Sequence, residues 1–169
     1  GDTILSSRWN KYDELGRVFQ VDQSLTTSVQ GVVLPEGPLT PNDGKVTTRT
    51  VFNKNSLVVE VVNDNQHYST STYDGLNRLR AVEDSVHVGG AGIDNITTYT
   101  YDKEDNLIET DEQEVSPSGA TAHYVTRAFY DELNRMTASV ESTLSTNNLG
   151  LTTRYVYDAR TPWVRTTFA

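Results

Sequence analysis

An aromatic residue followed by Asp or Asn recurs six times, and this pair constrains the fold more than any other feature of the chain. Five of the six pairs are followed by a sequence typical of a tight turn. Because a repeat at regular offsets indicates one structural unit used many times, we expect similar units placed side by side. The copies are Tyr12–Arg17, Phe52–Leu57, Tyr73–Arg78, Tyr101–Asn106 and Tyr130–Arg135, with a worn sixth copy at Tyr157–Arg160.

Each copy has the residue types of a β-hairpin tip. The Asp or Asn stands first in a four-residue turn, where its side-chain oxygen can accept a backbone N–H two residues on. The fourth residue is usually Gly, Asn or Asp, which adopt a left-handed backbone at least cost. A type I turn followed by a left-handed residue closes a common hairpin. These fourth residues are Gly16, Ser56, Asn77, Asp105 and Asn134.

The segments that flank the turns predict strands. Thr97–Tyr101 and Thr153–Tyr157 place Tyr at every second residue, so each pair of tyrosines shares one face of a strand. After two of the turns, apolar residues lie three apart, a spacing that predicts a strand with a bulge. These residues are Val18 with Val21, and Leu79 with Val82.

The spacing of the motif sets the size of the unit. From the third copy onward, successive motif tyrosines are 28, 29 and 27 residues apart, enough for two strands, a tight turn and a return loop. The interval from Tyr12 to Phe52 is 40 residues and is rich in Gly and Pro, so we expect an inserted loop near residues 23–47. A propeller blade also spans about 40–45 residues, but only this interval fits one. An array of hairpins is therefore favoured over a propeller.

The low apolar content, 36% of the 169 residues, agrees with an antiparallel sheet that has one solvent-exposed face. The chain contains no cysteine, and its net charge is −9. We expect an all-β fold: a curved antiparallel sheet of about ten to twelve strands in consecutive hairpins. Residues 1–169 are taken as a single array of about six hairpins.

Charge and hydropathy also limit the partners. The 14 basic residues are scattered, which argues against nucleic acid, and no apolar run approaches ~18 residues, which argues against membrane insertion. No Walker loop, dinucleotide fingerprint or HExxH motif is present, so no cofactor is expected. The acidic segment 102–114 lacks the Gly of a calcium loop, and we expect no metal.

The motif resembles the YD repeat of rearrangement-hotspot (Rhs) proteins, in which Tyr-Asp and two variable residues precede Gly or Asn, Arg and an aliphatic residue. The copies that carry the resemblance best are Tyr12–Val18, Tyr73–Leu79 and Tyr130–Met136. The resemblance implies a spiral strip of hairpins that forms a hollow shell. Such shells enclose a toxic C-terminal segment in bacterial toxin complexes and serve adhesion in teneurin-like proteins; carbohydrate binding has been suggested for related repeats.

Two interpretations of the motif residues stay open. The tyrosines either form a row that stacks on sugars or, as we favour, stack from hairpin to hairpin. The arginines either clamp an acidic ligand or, as we favour, form an Arg–Asp ladder between neighbouring repeats. The predicted structural motif comprises Tyr12, Asp13, Gly16, Arg17, Tyr73, Asp74, Asn77, Arg78, Tyr101, Asp102, Tyr130, Asp131, Asn134 and Arg135.

Six aromatic residues are not needed by the turn and are the candidate ligand-binding residues. Loops on a rigid scaffold are common binding positions, so we also expect binding in the return loops 23–47, 85–96, 112–122 and 142–152. Exposed aromatic residues favour a sugar or a protein partner over a metabolite. The six are Trp9, Tyr68, Tyr99, Tyr124, Tyr155 and Trp163.

The sequence favours a non-catalytic structural or interaction module of a larger secreted or cell-surface protein, bacterial rather than eukaryotic. Its expected partners are other YD repeats of the parent protein, or a second copy through the edge strands. A carbohydrate-binding adhesion module is the alternative. A glycan-cleaving enzyme would need paired carboxylates across a cleft; the available ones are Glu83, Asp84, Asp111 and Glu112.

Overall fold

The computed structural model describes residues 6–25, 45–88, 91–116, 118–143, 151–157 and 164–168. These residues form strands and tight turns, and no helix is present among them. The strands are β1 Ser6–Tyr12, β2 Val18–Leu25, β3 Val46–Phe52, β4 Val58–Val62, β5 Tyr68–Tyr73, β6 Leu79–Val88, β7 Ala91–Tyr101, β8 Leu107–Val115, β9 Thr121–Tyr130, β10 Met136–Thr143, β11 Thr152–Tyr157 and β12 Val164–Phe168.

The strand order in the sheet follows the order in the sequence, from β1 to β12, and every pairing whose register is described is antiparallel. Strands β1 and β2 therefore form hairpin 1, β3 and β4 hairpin 2, and so on to hairpin 6. The prediction of an all-β fold of consecutive antiparallel hairpins is confirmed.

The chain divides into two compact units. The first comprises Gly1–Asn77 and Glu83–Gly92, and the second comprises Arg78–Val82 and Ile93–Ala169.

A bulge follows each motif turn whose register is described. In hairpin 1, Tyr12 pairs with Val18 but Lys11 pairs with Gln20, so Phe19 is the extra residue. Hairpins 2, 4, 5 and 6 shift register at the corresponding point, where the motif aromatic or the residue paired with it lies. The three-residue spacing of Val18 and Val21 has this cause, because the bulge reverses the side-chain alternation once.

Few hydrophobic side chains are fully buried. In the described part of the chain only Val62 and Val125, 6% and 3% exposed, belong to this group. Most other strand residues whose burial is described are half-buried or exposed, as expected of an antiparallel sheet with a solvated face. Backbone ladders and side-chain contacts between hairpins therefore carry a large share of the stability.

A buried polar cluster lies in the first unit, where β1, β2 and β3 pair. Asp22 is only 5% exposed, and it accepts hydrogen bonds from Gln20 Nε2 at 2.6 Å and Thr47 Oγ1 at 3.1 Å. The Lys11 ammonium lies 3.3 Å from the other carboxylate oxygen. Burial by itself would raise the pKa of Asp22, but the hydrogen bonds from Gln20, Lys11 and Thr47 together lower it. The ionised carboxylate therefore ties three strands together.

Two of the expected return loops are mostly strand, and the other two lie largely outside the described residues. Residues 85–96 are mainly strand, because β6 extends to Val88 and β7 begins at Ala91. Residues 112–122 are strand except for a turn at 116–120. Of 23–47, the ends belong to β2 and β3 and 26–44 lie outside the described residues; 144–150 of the fourth loop lie outside them too.

Candidate functional site

The motif turns share one backbone geometry. The N–H of the fourth residue donates to the carbonyl of the first, and the N–H of the first donates to the carbonyl of the fifth; in hairpin 1 these bonds are 3.0 and 2.9 Å. The fourth residue is left-handed in every motif turn of hairpins 1 to 5. The φ angles are +75° at Gly16, +62° at Ser56, +65° at Asn77, +67° at Asp105 and +58° at Asn134.

The side chain of the first residue in each motif turn stabilises the turn by accepting backbone hydrogen bonds within it. Asp131 Oδ1 accepts the N–H groups of Leu133 at 2.9 Å and Arg135 at 3.0 Å. Asp13 and Asp102 make the same pair of bonds, and Asn53 shows that an amide oxygen serves equally well. These contacts satisfy two backbone donors that the hairpin ladder cannot reach.

Charge on these aspartates is stabilised locally. The hydrogen bond from the Arg17 guanidinium to Asp13 lowers the pKa of that carboxyl group, and Arg135 does the same for Asp131. In hairpin 4 the side-chain amide of Asn106 is the main group that lowers the pKa of Asp102. All three carboxylates are therefore ionised at neutral pH.

Two further turns of the same kind lie between hairpins, and the sequence analysis missed both. Asn63 Oδ1 accepts the N–H groups of Asn65 and His67, with Gln66 left-handed at φ +60°. A turn at 116–120 has Gly119 at φ +80°, and the Ser116 hydroxyl accepts the Ala120 N–H. The turn at 116–120 could have been recognised from Ser116 and Gly119 at its first and fourth positions. The turn at 63–67 could not, because Gln66 is not a residue type typical of a left-handed backbone.

Motif arginines reach from one hairpin to the next. Arg78 Nη1 donates to the Asp102 carbonyl at 3.2 Å and to Asp105 Oδ1 at 2.6 Å, in the turn of hairpin 4. Arg17 binds the corresponding atoms of the turn of hairpin 2, the Asn53 carbonyl at 3.5 Å and Ser56 Oγ at 3.0 Å. Each arginine therefore recognises the first and fourth residues of the next turn.

Each motif arginine also lies over the aromatic ring of the next hairpin. The guanidinium carbon is 4.5 Å from the ring centre for Arg17 over Phe52, and 4.6 Å for Arg135 over Tyr157. Phe52, Tyr101 and Tyr157 thus stand beside the guanidinium group of the preceding hairpin, a favourable cation–π geometry.

The tyrosine hydroxyl groups complete the contact between hairpins. Tyr73 donates to the Val58 carbonyl at 2.8 Å, Tyr130 to Leu107 at 3.1 Å and Tyr157 to Met136 at 2.7 Å. In each case the acceptor is the first residue of the strand that follows the preceding motif turn. Burial raises the pKa of Tyr130, and the nearby Asp102 charge adds to the effect. Tyr12, in hairpin 1, is 58% exposed.

Hairpins without a motif arginine are joined to the next by asparagine. Asn55 Nδ2 donates to Asn77 Oδ1 at 2.7 Å, and Asn106 Nδ2 donates to Asn134 Oδ1 at 3.1 Å. Two such links lie in each compact unit: Arg17–Ser56 and Asn55–Asn77 in the first, Arg78–Asp105 and Asn106–Asn134 in the second. In all four, the fourth turn residue accepts.

Ion pairs of the arginines are mainly within a turn. Arg17 binds Asp13 at 2.6 Å and Arg135 binds Asp131 at 2.7 Å, each four residues apart. Arg78 pairs with Asp105 of the following hairpin at 2.6 Å. An Arg–Asp bond between neighbouring repeats therefore occurs where the next turn offers a carboxylate at its fourth position.

The aromatic residues outside the motif differ in their exposure. Trp9 is 47% exposed, with the Lys45 ammonium 5.1 Å from its ring centre, and Tyr124 is 42% exposed. Tyr99 and Tyr155 are half-buried in strands. Tyr68 is half-buried beside His67 and Asp84 in a shallow pocket of about 280 Å³. Trp163 lies outside the described residues.

The carboxylates considered for glycan cleavage are consecutive in their strands. Asp111 and Glu112 follow each other in β8, and Glu83 and Asp84 in β6, so the members of each pair project from opposite faces. Asp111 is engaged by the His123 ring at 3.0 Å. Among the residues that the structure describes, no cluster of acidic or His side chains suited to a metal is present. Nor does this part of the chain contain a helix able to cross a membrane.

The fold and the motif turns define a class of structure: an array of β-hairpins in which motif side chains join each hairpin to its neighbour. No protein-family model matches the chain, and no curated protein matches it in sequence. Among solved structures, the crystal structure of TcdB2-TccC3-Cdc42 matches with a TM-score of 0.55 and 15% identity. That match covers 92% of this chain and 9% of the other.

A second match, the crystal structure of TcdB2-TccC3-TEV, has a TM-score of 0.26 and 10% identity, and covers 88% of this chain and 12% of the other. The first similarity indicates a related fold, and the chain spans about a tenth of the length of the protein it matches.

Proposed function

We propose that this chain is a non-catalytic structural segment of a larger Rhs-like protein, secreted or on a bacterial cell surface. In that protein the array of residues 1–169 would form part of a β-shell that encloses or presents another segment. Its partners would be further YD repeats of the parent, or a second copy paired through an edge strand.

The observation that carries this proposal is the direction of the contacts between hairpins. Arg17 and Arg78 bind forward, onto the ring and turn of the next hairpin. Tyr73, Tyr130 and Tyr157 bind back, onto the preceding hairpin. Such a contact can be repeated any number of times, as in repeat proteins whose stability is a sum over neighbours. The similarity to a short part of a much longer chain supports the same proposal.

The natural full-length protein tests this function. We expect its sequence to carry more Tyr-Asp turns beside this segment, and we expect a segment without such turns to resist trypsin until urea unfolds the array. The control is the same segment expressed alone, which trypsin should cleave at once. A natural protein with no further hairpins, or a second segment cleaved equally fast in both forms, contradicts the proposal.

A carbohydrate-binding adhesion module is the second candidate, favoured by the exposure of Trp9 and Tyr124. Exposed aromatic rings are suitable stacking surfaces for sugars. A glycan array probed with the chain and with a Trp9→Ala, Tyr124→Ala variant tests this role. Glycan binding by the native chain but not by the variant supports this role. If neither the native chain nor the variant binds a glycan, the role is ruled out.

A further inference from the structure

A groove of about 750 Å³ lies in the second unit, between the motif turns of hairpins 4 and 5. Its apolar wall is formed by Ile108, Ala128 and Phe129, and the Phe129 ring is 51% exposed. The motif does not require an aromatic residue before Tyr130, since Val51 and Thr100 occupy the same place in hairpins 2 and 4. Phe129 is therefore not explained by the hairpin contacts.

The polar wall of the groove is strongly acidic. Five carboxylates line it, and Arg127 is the one cation among its lining residues. Glu109 is neutralised by Arg127 at 2.7 Å and Asp131 by Arg135 at 2.7 Å. Asp102 is held by the neutral amide of Asn106, and neither Glu104 nor Glu132 has an ion pair among the described residues. The carboxylates of Glu104 and Glu132 thus face the groove without a paired cation among the described residues.

We propose that this groove binds an extended basic peptide segment in which Arg or Lys alternates with apolar residues. A guanidinium or ammonium group would lie between the unpaired carboxylates of Glu104 and Glu132, where its charge relieves their repulsion. The methylene stem of the same side chain packs on Phe129, and an apolar neighbour fits against Ile108. This binding does not depend on the array being part of a shell.

The apolar wall, the exposed Phe129 ring and the unpaired carboxylates together favour a basic peptide over other ligands. An anionic ligand is repelled by the net charge of the walls. A neutral sugar would use Phe129 as a stacking surface but would leave the carboxylates of Glu104 and Glu132 unneutralised. A basic and apolar peptide uses both walls, and the flat ring also attracts the cation through its face.

The test is a titration of the complete 169-residue chain with a labelled hexapeptide amide of alternating Arg and Leu. Fluorescence anisotropy gives the dissociation constant, and amide chemical shifts locate the site. We expect saturable binding that weakens as NaCl rises, with shifts at Glu104, Phe129 and Glu132. A hexapeptide of alternating Gln and Leu and the oligosaccharide cellohexaose should not bind.

Matched variants separate the groove from the general acidity of the chain. The E104Q/E132Q pair removes two charges without altering the turn hydrogen bonds, and should weaken binding roughly fivefold to tenfold. The E14Q variant removes one charge at the turn position of hairpin 1 that corresponds to Glu132, outside the groove, and should leave the dissociation constant unchanged. Phe129→Ala should also weaken binding, whereas Leu133→Ala, an exposed apolar change on the same hairpin, should not.

Several outcomes overturn the proposal. Equal weakening by E14Q and by E104Q/E132Q means that the peptide binds diffusely to an acidic chain. Cellohexaose shifts at Phe129 without peptide binding mean that the groove is a sugar site. If Phe129→Ala fails to fold, the carboxamide pair decides the question, because those side chains are exposed.

Discussion

The guanidinium carbon of Arg78 lies 4.7 Å from the ring centre of Tyr101, while its Nη1 donates to Asp105 Oδ1 at 2.6 Å in the turn that follows that ring. One side chain thus holds two parts of the next hairpin. Arg17 has the same arrangement over Phe52 and Ser56. The motif therefore serves both purposes: its Asp closes a turn, and its Arg and Tyr join that turn to its neighbours.

The tyrosine hydroxyl group should contribute measurably to stability. Tyr130→Phe removes the donor to the Leu107 carbonyl and leaves the ring in place. We expect the free energy of unfolding in urea to fall by about 1 kcal/mol. Tyr124→Phe in the same strand is the control, because that side chain is 42% exposed and should change stability little. Equal effects of the two changes would contradict a role for the hydroxyl bond.

The first turn position should tolerate Asn better than Ala. Asp131→Asn keeps an oxygen that accepts the N–H groups of Leu133 and Arg135, as Asn53 and Asn63 do in their own turns. Asp131→Ala leaves both donors without that acceptor. We expect the urea midpoint to fall in the order native, Asn, Ala. A midpoint for the Ala variant at or above that of the Asn variant would show that the arginine pair, not the turn, determines the effect.

A left-handed glutamine offers a stabilising substitution. Gln66 has φ +60° in the turn between β4 and β5, where a Cβ atom is unfavourable. Gln66→Gly should raise the free energy of unfolding by about 0.5–1 kcal/mol, since relief of this strain exceeds the entropic cost of glycine. Gln66→Ala keeps the Cβ atom and should not stabilise. Stabilisation by Ala instead of Gly would mean that the native side chain, not its backbone, is unfavourable.

Stability should decrease in acid. The pKa values of Asp13, Asp102 and Asp131 are lowered in the folded chain by hydrogen bonds to Arg17, Asn106 and Arg135. Their unfolded values lie near 3.9, so below about pH 4 the unfolded state binds more protons than the folded state. The contribution is complete above that pH and is lost as pH falls through the folded pKa values.

The measurement for this pH dependence is a series of urea midpoints between neutral pH and pH 2. The midpoint should stay level near neutrality and fall below about pH 4. In Asp131→Asn the fall should be shallower, because one titrating group is gone. The same fall in that variant would assign the acid sensitivity to other carboxylates, such as the buried Asp22.

The sequence was sufficient to predict the hairpins because both the turn and the strand depend on local residue types. Asp13 and Gly16 specify a turn without reference to the rest of the chain, and Val18 with Val21 indicated the bulge. Gln66 was missed because its left-handed backbone is imposed by the antiparallel pairing of β4 with β5, against its own preference.

The contacts between hairpins were less accessible to sequence analysis. Arg17 and Arg78 occupy the same motif position, but Arg17 reaches a hydroxyl group in the next turn and Arg78 reaches a carboxylate. The difference arises because the following turn carries Ser56 in one case and Asp105 in the other, a relationship that only the strand order brings together. The groove at Phe129 likewise requires two turns to be side by side in space.

A double-mutant cycle on Arg78 and Tyr101 tests the central claim, that motif side chains join successive hairpins. Urea unfolding would be measured for the native chain, Arg78→Ala, Tyr101→Leu and the double variant, with Arg80→Ala, exposed in β6, as the control partner for Tyr101→Leu. We predict a coupling energy of about 0.5–1.5 kcal/mol between Arg78 and Tyr101 and additive effects for Arg80. Additive effects for Arg78 and Tyr101 as well would contradict the account.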